Sequence, residues 1–274
     1  MSTTSRPALR ATGRVLPAGL AGWRPGRLVE RNALAYRRMW HVFVAGFTEP
    51  LLYLLSIGVG VGALVGEVPV GGGRTVPYEV FVAPGMLAST AMNGAVFDTT
   101  FNFFVKYKYA KTFDAILATP LGVDDVAVGE VAWALLRGAI YAATFLGTMV
   151  VLGLVQSWWA VLAVPAAVLI SYAFAGAGLA GTTWMRSFVD FDYVTLAVIP
   201  LFLFSATFFP LDRYPTVLRW LVQATPLYQG VALERALVLG EVGWPVLLHA
   251  TYLVAMGSAG LLVATRRLGR LLQE

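Results

Sequence analysis

The longest uncharged stretch of the chain constrains its fold more than any other feature. No Asp, Glu, Lys or Arg occurs between Arg137 and Arg186. Coiled into one helix, this stretch would be more than twice as long as the ~30 Å hydrocarbon core of a bilayer. Gln156 and Ser157, followed by a tryptophan pair, interrupt it near its middle. Because tryptophan favours the membrane interface, the stretch predicts two membrane-spanning helices joined by a tight turn.

The composition of the whole chain supports a membrane environment. Only 13% of the 274 residues are charged and 58% are hydrophobic, whereas a soluble domain carries roughly 25% charged residues. The chain has no cysteine, which excludes disulfides and thiolate metal sites. Its two histidines, His41 and His249, are far apart and lack a second ligand at suitable spacing, so no metal site is predicted.

Six apolar segments are long enough to cross a bilayer, which predicts an all-α membrane protein. They are residues 41–66, 80–105, 131–155, 158–185, 193–210 and 242–265. Residues 1–22 have no hydrophobic period and are predicted to form a disordered tail in the cytosol. Residues 23–40 are predicted to form an amphipathic helix, and residues 41–274 the transmembrane domain.

The distribution of basic residues predicts the orientation. An even number of spans places both chain ends on one side, and most of the basic residues fall on that side; those near the membrane are Arg24, Arg27, Arg31, Arg37, Arg38, Lys106, Lys108, Lys111, Arg186, Arg266, Arg267 and Arg270. The opposite side has only Arg74, Arg213, Arg219 and Arg235. The positive-inside rule therefore predicts cytoplasmic N- and C-termini. The net charge of +5 is explained by topology and lipid headgroups rather than by nucleic-acid binding.

The segment before the first span has the pattern of an amphipathic helix. Apolar residues recur at helical spacing on one face (Val29, Ala33, Tyr36, Trp40 and Phe43), and charged residues occupy the other (Arg27, Glu30, Arg31, Arg37 and Arg38). Pro25 suits the first turn, where its missing N–H costs nothing. Such a helix lies in the cytoplasmic interface. It serves either as a simple anchor or as part of energy coupling.

The loop between the second and third spans contains a second short amphipathic helix. All three lysines of the chain precede it or begin it, and Thr112 is its predicted N-cap. The helix is predicted to end before the turn at 119–122. Exposed Phe113, Ile116 and Leu117 would form a docking surface for another protein, or alternatively would touch the bilayer.

The connection between the fifth and sixth spans is too charged to cross the membrane and too apolar for a free loop. Residues 215–223 and 227–239 are predicted to form two helices, broken at Thr225-Pro226. A re-entrant or interfacial hairpin fits, because irregular backbone at membrane depth must be covered by protein.

Several polar and small residues fall within the predicted spans. Asp98 and Asn102 share one helix face, and Asn93 lies on another. Two interpretations are open: the polar residues of the second span form a polar cavity or an interhelical network, or Glu49, Asp98 and Arg137 lie near enough to the cytosolic interface to be hydrated or paired. Asn93 is the deepest polar candidate for a transport path. Small residues at four-residue spacing occur at Gly58, Gly62 and Gly66, and at Ala173, Ala177 and Gly181; they favour close packing with another span or a second copy.

Enzyme motifs are largely missing from the sequence. No Gly-Lys dipeptide occurs, so there is no Walker A loop, and no Gly-x-Ser-x-Gly elbow is present. Asp124-Asp125 and Asp190-x-Asp192 leave open a membrane-embedded, Mg-dependent prenyl- or phosphatidyl-transferase, although Asp124-Asp125 also suits a helix cap. An ion-gradient-driven transporter is the other alternative, but inverted repeats and several deep charges are not seen.

Two stretches resemble type-2 ABC transporter permeases, in the lipo-oligosaccharide nodulation exporter and daunorubicin-resistance branch. One is residues 106–130 (KYKYAKTFDAILATPLGVDDVAVGE). The other comprises residues 208–215 (FFPLDRYP), 225–230 (TPLYQG) and 234–240 (ERALVLG). The resemblance covers nearly the whole chain after residue 25.

The resemblance implies a multi-pass permease of the bacterial plasma membrane that exports an amphipathic or lipid-like substrate, such as a drug, polyketide, glycolipid or lipo-oligosaccharide. Two permease copies, more often identical than different, would pair with two ATPase subunits. ATP and Mg would bind the ATPase, and this chain would carry no cofactor and no catalytic residue.

The resemblance also assigns roles to individual residues. The ATPase-coupling segment would comprise Lys106, Lys108, Lys111, Thr112, Phe113, Asp114, Ile116 and Leu117, and the connecting helix would use Arg27, Arg31, Tyr36, Arg38 and Trp40. An outer hairpin at the exit would include Pro210, Pro215, Pro226, Gly230, Glu234 and Arg235. The path between the two copies would be lined by Asn93, Phe97, Phe204 and Phe208.

Overall fold

The computed structural model describes residues 24–37, 48 and 51–271, and within them the chain forms a helical bundle with one small β-hairpin. Four helices are long and apolar enough to cross a membrane: Tyr78–Tyr109, Val123–Val151, Trp158–Thr182 and Pro245–Leu271. The fold is therefore that of a predominantly α-helical membrane protein. The predicted tail 1–22 and the side chains of Arg38, Trp40 and Glu49 lie outside the described residues.

The N-terminal part of the described chain contains two helices and the hairpin. Helix α1 is Gly26–Arg37, and α2 is Leu51–Val65, the described portion of the predicted first span. Strands β1 (Glu67–Pro69) and β2 (Thr75–Pro77) pair antiparallel. The sequence did not suggest these strands, because each has only three residues and ends in a proline.

Helix α3 is one continuous helix, Tyr78–Tyr109, with π-helical turns at Asp98–Asn102 and Val105–Tyr109. It extends beyond the predicted 80–105. The short helix α4 follows at Thr112–Leu117. The predicted N-cap at Thr112 is wrong: Lys111 occupies the cap position in a left-handed conformation (φ 46°) and makes no side-chain cap bond.

Three long helices complete the centre of the bundle: α5 (Val123–Val151), α6 (Trp158–Thr182) and, after a further connection, the C-terminal helix Pro245–Leu271. Helix α5 begins eight residues before the predicted third span (131–155), within the predicted loop. The Asp125 carboxylate explains this start, since it accepts the backbone N–H of Gly122 at 2.9 Å.

The connection after α6 contains three shorter helices: α7 (Phe191–Leu203), α8 (Thr216–Ala224) and α9 (Pro226–Leu239), and Pro245–Leu271 is therefore α10. Helix α7 covers only part of the predicted fifth span, 193–210. Helix α7 ends at Leu203 and is ~20 Å long at 1.5 Å per residue. An irregular segment, residues 204–210, follows it, and Ala206 there has a positive φ of 57°.

Helix α9 packs inside the bundle instead of lying over it. The Gly230 position faces Ile170 of α6 so closely that a Cβ there would lie 2.9 Å from its Cδ1. The Gln156 N–H donates to the Val238 carbonyl at 3.1 Å. The break between α8 and α9 lies where it was predicted: Pro226 begins α9, and the Thr225 hydroxyl accepts the Tyr228 N–H at 3.3 Å.

The bundle thus has two ends. The β end contains the β-hairpin, the α5–α6 turn and the C-terminus of α9, joined by an ion pair of 2.8 Å between Arg74 and Glu241. The α1 end contains α1, α4 and the C-terminus of α10, where the Arg267 guanidinium lies 3.9 Å from the ring centroid of Trp184.

Candidate functional site

The short helix α4 presents charges outward and apolar side chains inward. Phe113 is completely buried, with its ring centroid 4.8 Å from that of Phe103 in α3. Ile116 is buried and Leu117 half-buried. The predicted exposed apolar docking surface is therefore wrong, because this face of α4 packs against α3. Its exposed surface is formed by Lys111, Asp114, Ala115 and Ala118, and Lys108 is exposed just before it.

Lys106 faces the interior of the bundle. Its Nζ lies 2.5 Å from Oε2 of Glu130, and the side chains of the two residues are 20% and 4% exposed. Asn32 of α1 completes this cluster: its amide donates to Glu130 Oε1 at 3.2 Å, and its Oδ1 accepts from Lys106 at 3.3 Å. These three side chains tie α1, the end of α3 and the start of α5 together.

A second polar cluster lies deeper between α3 and α5. Arg137 pairs with Asp98 at 2.8 Å, and both side chains are less than a tenth exposed. Asn102 donates to the same Asp98 oxygen at 2.7 Å. The Tyr36 hydroxyl of α1 lies within hydrogen-bond distance of both Arg137 (3.3 Å) and Asn102 (3.4 Å). Asp98 and Arg137 were expected to be hydrated or paired; they are paired with each other, and both side chains are buried.

Electrostatics explains why these groups face each other. Burial raises the pKa of the Tyr36 phenol above its ordinary value, so the hydroxyl remains neutral beside the Arg137 guanidinium. On α3 the acid (Asp98) and the base (Lys106) are about two turns apart, and on α5 the acid (Glu130) and the base (Arg137) have similar spacing. Because α3 and α5 run antiparallel, opposite charges meet at both levels. We call the seven residues Asn32, Tyr36, Asp98, Asn102, Lys106, Glu130 and Arg137 the polar tie.

Sequence reasoning identified only part of the polar tie. Glu130 and Asn32 were not assigned a role, and Lys106 was assigned to the ATPase-coupling surface. The sequence does hold a signal for the two ion pairs. The acid and the base of α3 have nearly the same spacing as the acid and the base of α5, and a loop joins the two helices. The connecting-helix residues Arg27 and Arg31 are exposed, whereas Tyr36 belongs to the tie. The buried face of α1 also includes Leu28, which packs on Gly129.

The candidates for the transport path fall into two groups. Asn93 and Phe97 lie on an exposed face of α3, where the Phe97 ring stacks on Phe101 at 5.2 Å. Phe204 is also exposed. Phe208, in contrast, faces inward, with its ring 5.1 Å from that of Phe202 and its carbonyl accepting the Tyr78 hydroxyl. The structure does not bring these four side chains together in one chain.

A groove of about 590 Å³ lies at the β end. It is lined by leucines and glycines of α2 and by the residues that follow α5. Gly58 and Gly62 face the side chain of Glu79, whose Oε2 would lie 3.1 Å from a Cβ at position 62. The small-residue spacing in the first span therefore makes room for a glutamate of α3.

The small residues of α6 pack against another span of the same chain, which is one of the two predicted alternatives. A Cβ at Gly176 would lie 3.1 Å from the Cα of Gly257 in α10 and closer still to its carbonyl oxygen, and one at Gly260 of α10 would lie 2.6 Å from the Ala177 nitrogen. Gly181, in contrast, faces open space, since a Cβ there would meet nothing within 4 Å.

The outer-hairpin residues form two sets. Pro210 and Pro215 each precede a short helix (Leu211–Arg213 and α8), and Pro226 and Gly230 belong to α9 as described above. The Glu234 carboxyl is completely buried, and neither oxygen has a hydrogen-bond partner among the described residues. Arg235 contacts backbone carbonyls instead of a carboxylate.

Two of the four aspartates that suggested a Mg²⁺ site serve as caps. Asp125 binds the backbone at the start of α5, and Asp190 accepts the N–H groups of Arg186 (2.6 Å) and Ser187 (3.0 Å). These bonds lower the pKa of the exposed Asp190 carboxyl. Within residues 24–37, 48 and 51–271, no group of three or more His, Asp or Glu could hold a metal ion.

Comparison with known proteins identifies the family of this chain. The family model described as ABC-2 type transporter matches residues 26–239. Nodulation protein J of Rhizobium leguminosarum bv. viciae is 33% identical over 94% of this chain and 98% of its own. The proteins of the same name from R. leguminosarum bv. trifolii (34%) and Rhizobium meliloti strain 1021 (30%) each match 82% of this chain and 84% of their own.

The match spans α1 to α9, and so includes the polar tie, α4 and both helices after the short α7. Together with the four long apolar helices, it makes the chain a multi-pass membrane protein and a transport subunit. The chain belongs to the ABC-2 type transporter family, as a permease of the branch that contains the nodulation proteins J.

Proposed function

We propose that the chain is the membrane half of an ATP-driven exporter of amphipathic or lipid-like molecules in the bacterial plasma membrane. Two copies pair with each other and with two copies of a separate ATPase, which binds ATP and Mg. The permease itself does no covalent chemistry. ATP-driven closure of the ATPase dimer moves the two permease halves between inward-open and outward-open states.

The polar tie is the observation that carries this proposal. A coupling device needs a surface for the motor and a rigid connection from that surface to the spans. Helix α4 supplies exposed Lys111 and Asp114, and its buried Phe113 fixes it to α3. The ion pair between Lys106 and Glu130 then joins the end of α3, which leads into α4, to α5. Buried charge pairs are costly to separate, so a push on α4 is transmitted to α1, α3 and α5 together.

The proposed topology has six crossings with both termini in the cytoplasm. Helices α3, α5, α6 and α10 are four of them, and the segment containing α2 is the first. Helix α7 is too short to cross alone, so the fifth crossing is completed by irregular backbone that α3 and α9 cover. Helices α8 and α9 form a re-entrant hairpin that opens at the outer face. The basic residues of the α1 end place that end in the cytoplasm.

The cargo class follows from the exposed surfaces. Asn93, Phe97 and Phe204 lie on faces that one chain leaves uncovered, and a second copy would enclose them as an aromatic, uncharged path. Such a lining suits a molecule with an apolar portion. The relatives are named as nodulation proteins, and the resemblance to the lipo-oligosaccharide nodulation exporter branch supports an amphipathic cargo.

The decisive experiment removes the exposed charges of α4 without touching its buried face. In the purified permease–ATPase complex, Lys111→Ala with Asp114→Arg should leave the permease folded but weaken ATPase binding and uncouple ATP hydrolysis from transport. Co-purification with the ATPase and cargo-stimulated ATP hydrolysis in proteoliposomes are the measurements.

Phe113→Ala is the matched variant on the opposite face of the same helix. Because it removes a fully buried ring, it should lower the melting temperature, with a free-energy cost of about 3–5 kcal/mol. The proposal would be refuted if the double surface variant bound and drove the ATPase normally, or if the permease alone moved cargo without ATP.

A further inference from the structure

The irregular segment after α7 is buried, although its backbone belongs to no helix or strand. Ser205, Ala206 and Thr207 are each no more than 1% exposed. The last helical contact is the Phe204 N–H to the Pro200 carbonyl. Buried carbonyls outside regular structure need a donor from elsewhere.

Arg235 of α9 supplies this donor. Its Nη2 lies 2.8 Å from the carbonyl oxygen of Ala206, 3.5 Å from that of Thr207 and 3.4 Å from that of Phe81 in α3. The guanidinium carbon lies 3.9 Å from the Phe81 ring centroid, a cation–π contact. One side chain therefore joins α9 to both the irregular segment and α3.

The charge of Arg235 has no carboxylate partner. In the part of the chain that the structure describes, no acidic group lies within ion-pair distance of it, and the neighbouring Glu234 carboxyl does not contact it. Carbonyl dipoles and a ring face hold the cation instead. Water can replace carbonyl contacts when the elements separate, whereas separating a buried ion pair exposes two charges. The contact is therefore strong but reversible.

The packing beside Arg235 favours the same closed arrangement. Thr207 fits against Gly85, one turn from Phe81 on the same face of α3; a Cβ at position 85 would lie 2.9 Å from Thr207 Cγ2. The Ser205 and Thr207 hydroxyls bond each other at 2.8 Å. The irregular segment therefore packs against the Gly85 position of α3, and the Arg235 side chain contacts both the segment and α3.

We propose that Arg235 is a positioning residue that latches the α8–α9 hairpin and the end of α7 onto α3, so that the outer exit stays closed until the ATPase acts. The direction of exit rests on the proposed function. The latch itself is defined by contacts within one chain and can be tested without ATP or cargo.

The test uses a single reporter cysteine, since the chain has none of its own. Ser89 is buried on the Phe81–Gly85 face of α3, one turn further from the β end. In the Ser89→Cys background, Arg235→Gln should speed labelling by a membrane-impermeant maleimide added outside the cell. Losing a charged hydrogen bond of this kind shifts an equilibrium by about tenfold or more, so an increase of that size is expected. Labelling is measured in membranes without the ATPase.

Arg219→Gln is the matched control, since Arg219 lies in α8 of the same hairpin and is more than a third exposed. Among the described residues, its side chain makes polar contacts with Asp212 alone. Arg219→Gln should not change the labelling rate. Arg235→Lys keeps the charge but loses the planar guanidinium, so its labelling rate should fall between those of the wild type and Arg235→Gln. If Arg235→Gln does not fold, Arg235→Lys takes its place as the test variant.

The latch is overturned if a folded Arg235→Gln or Arg235→Lys variant labels at the wild-type rate, or if Arg219→Gln accelerates labelling equally. Failure of both Arg235 variants to fold also counts against it, because the contacts would then serve folding alone. If the wild-type permease binds no ATPase while the Arg235 variants change labelling as expected, the proposed function is refuted and the latch stands.

Discussion

Removing one partner of the Asp98–Arg137 pair should destabilise the chain far more than removing both. The distance from Arg137 Nη2 to Asp98 Oδ1 is 2.8 Å, and the Asp98 and Arg137 side chains are 5% and 7% exposed. Asp98→Asn leaves the guanidinium buried without a counter-charge, and Arg137→Met leaves the carboxylate with Asn102 as its remaining donor. Each single change is expected to cost about 3–5 kcal/mol, because an uncompensated buried charge remains.

The double variant Asp98→Asn/Arg137→Met removes both charges. It should therefore cost less than the sum of the single variants, with a coupling energy of about 2 kcal/mol or more. In melting temperature, a loss of this size in a chain of this length corresponds to roughly 10 °C for each single variant. The measurement is a double-mutant cycle from reversible unfolding in mixed micelles, supported by thermal melts.

Arg74 and Glu241 form the control pair, with the same separation of 2.8 Å but side chains 54% and 34% exposed. Their coupling energy should be below about 1 kcal/mol, since water screens the charges. Additive single variants at Asp98 and Arg137, or equal coupling in the two pairs, would show that burial does not strengthen the polar tie.

Two further predictions concern packing and pH. Gly176→Ala should lower stability by about 1–3 kcal/mol because its Cβ would meet the Gly257 backbone, whereas Gly181→Ala should be tolerated because nothing lies within 4 Å; unfolding titrations of both variants check this, and equal effects would contradict it. The pKa of Asp190 is lowered by two backbone N–H bonds, so its stabilising contribution is present above the ordinary aspartate pKa of about 4 and is lost as the pH falls through the lowered folded-state pKa. Melting curves across this range should fall less steeply for Asp190→Ala than for the wild type, and parallel curves would speak against this role of Asp190.

Local sequence signals predicted the helices well where the determinants are local. The turn at 119–122 ends α4, and the Thr225-Pro226 break separates α8 from α9; both are set by residues within one or two turns of the boundary. Low charge and long apolar runs likewise identified the membrane class, because the bilayer acts on composition directly. The membrane class and the family could therefore be read from the chain alone.

Three features depended on tertiary structure. Phe113 looked like a docking residue, but the Phe103 ring of α3 packs against it. The apolar run 193–210 continues past the true end of α7, and the Arg235 side chain, far along the chain, stabilises the unwound backbone there. Lys106 looked like a surface charge until Glu130 and Asn32 were brought against it.

The physical reason is the range of the forces concerned. Capping, turn geometry and hydrophobicity act between near neighbours in the chain or between the chain and its solvent, so the sequence alone determined the class of protein and most helix positions. The burial of a side chain and the partner of a charge depend on which helices meet. Only the packed bundle decided which face of α4 is free, where α7 ends and which charges form the polar tie.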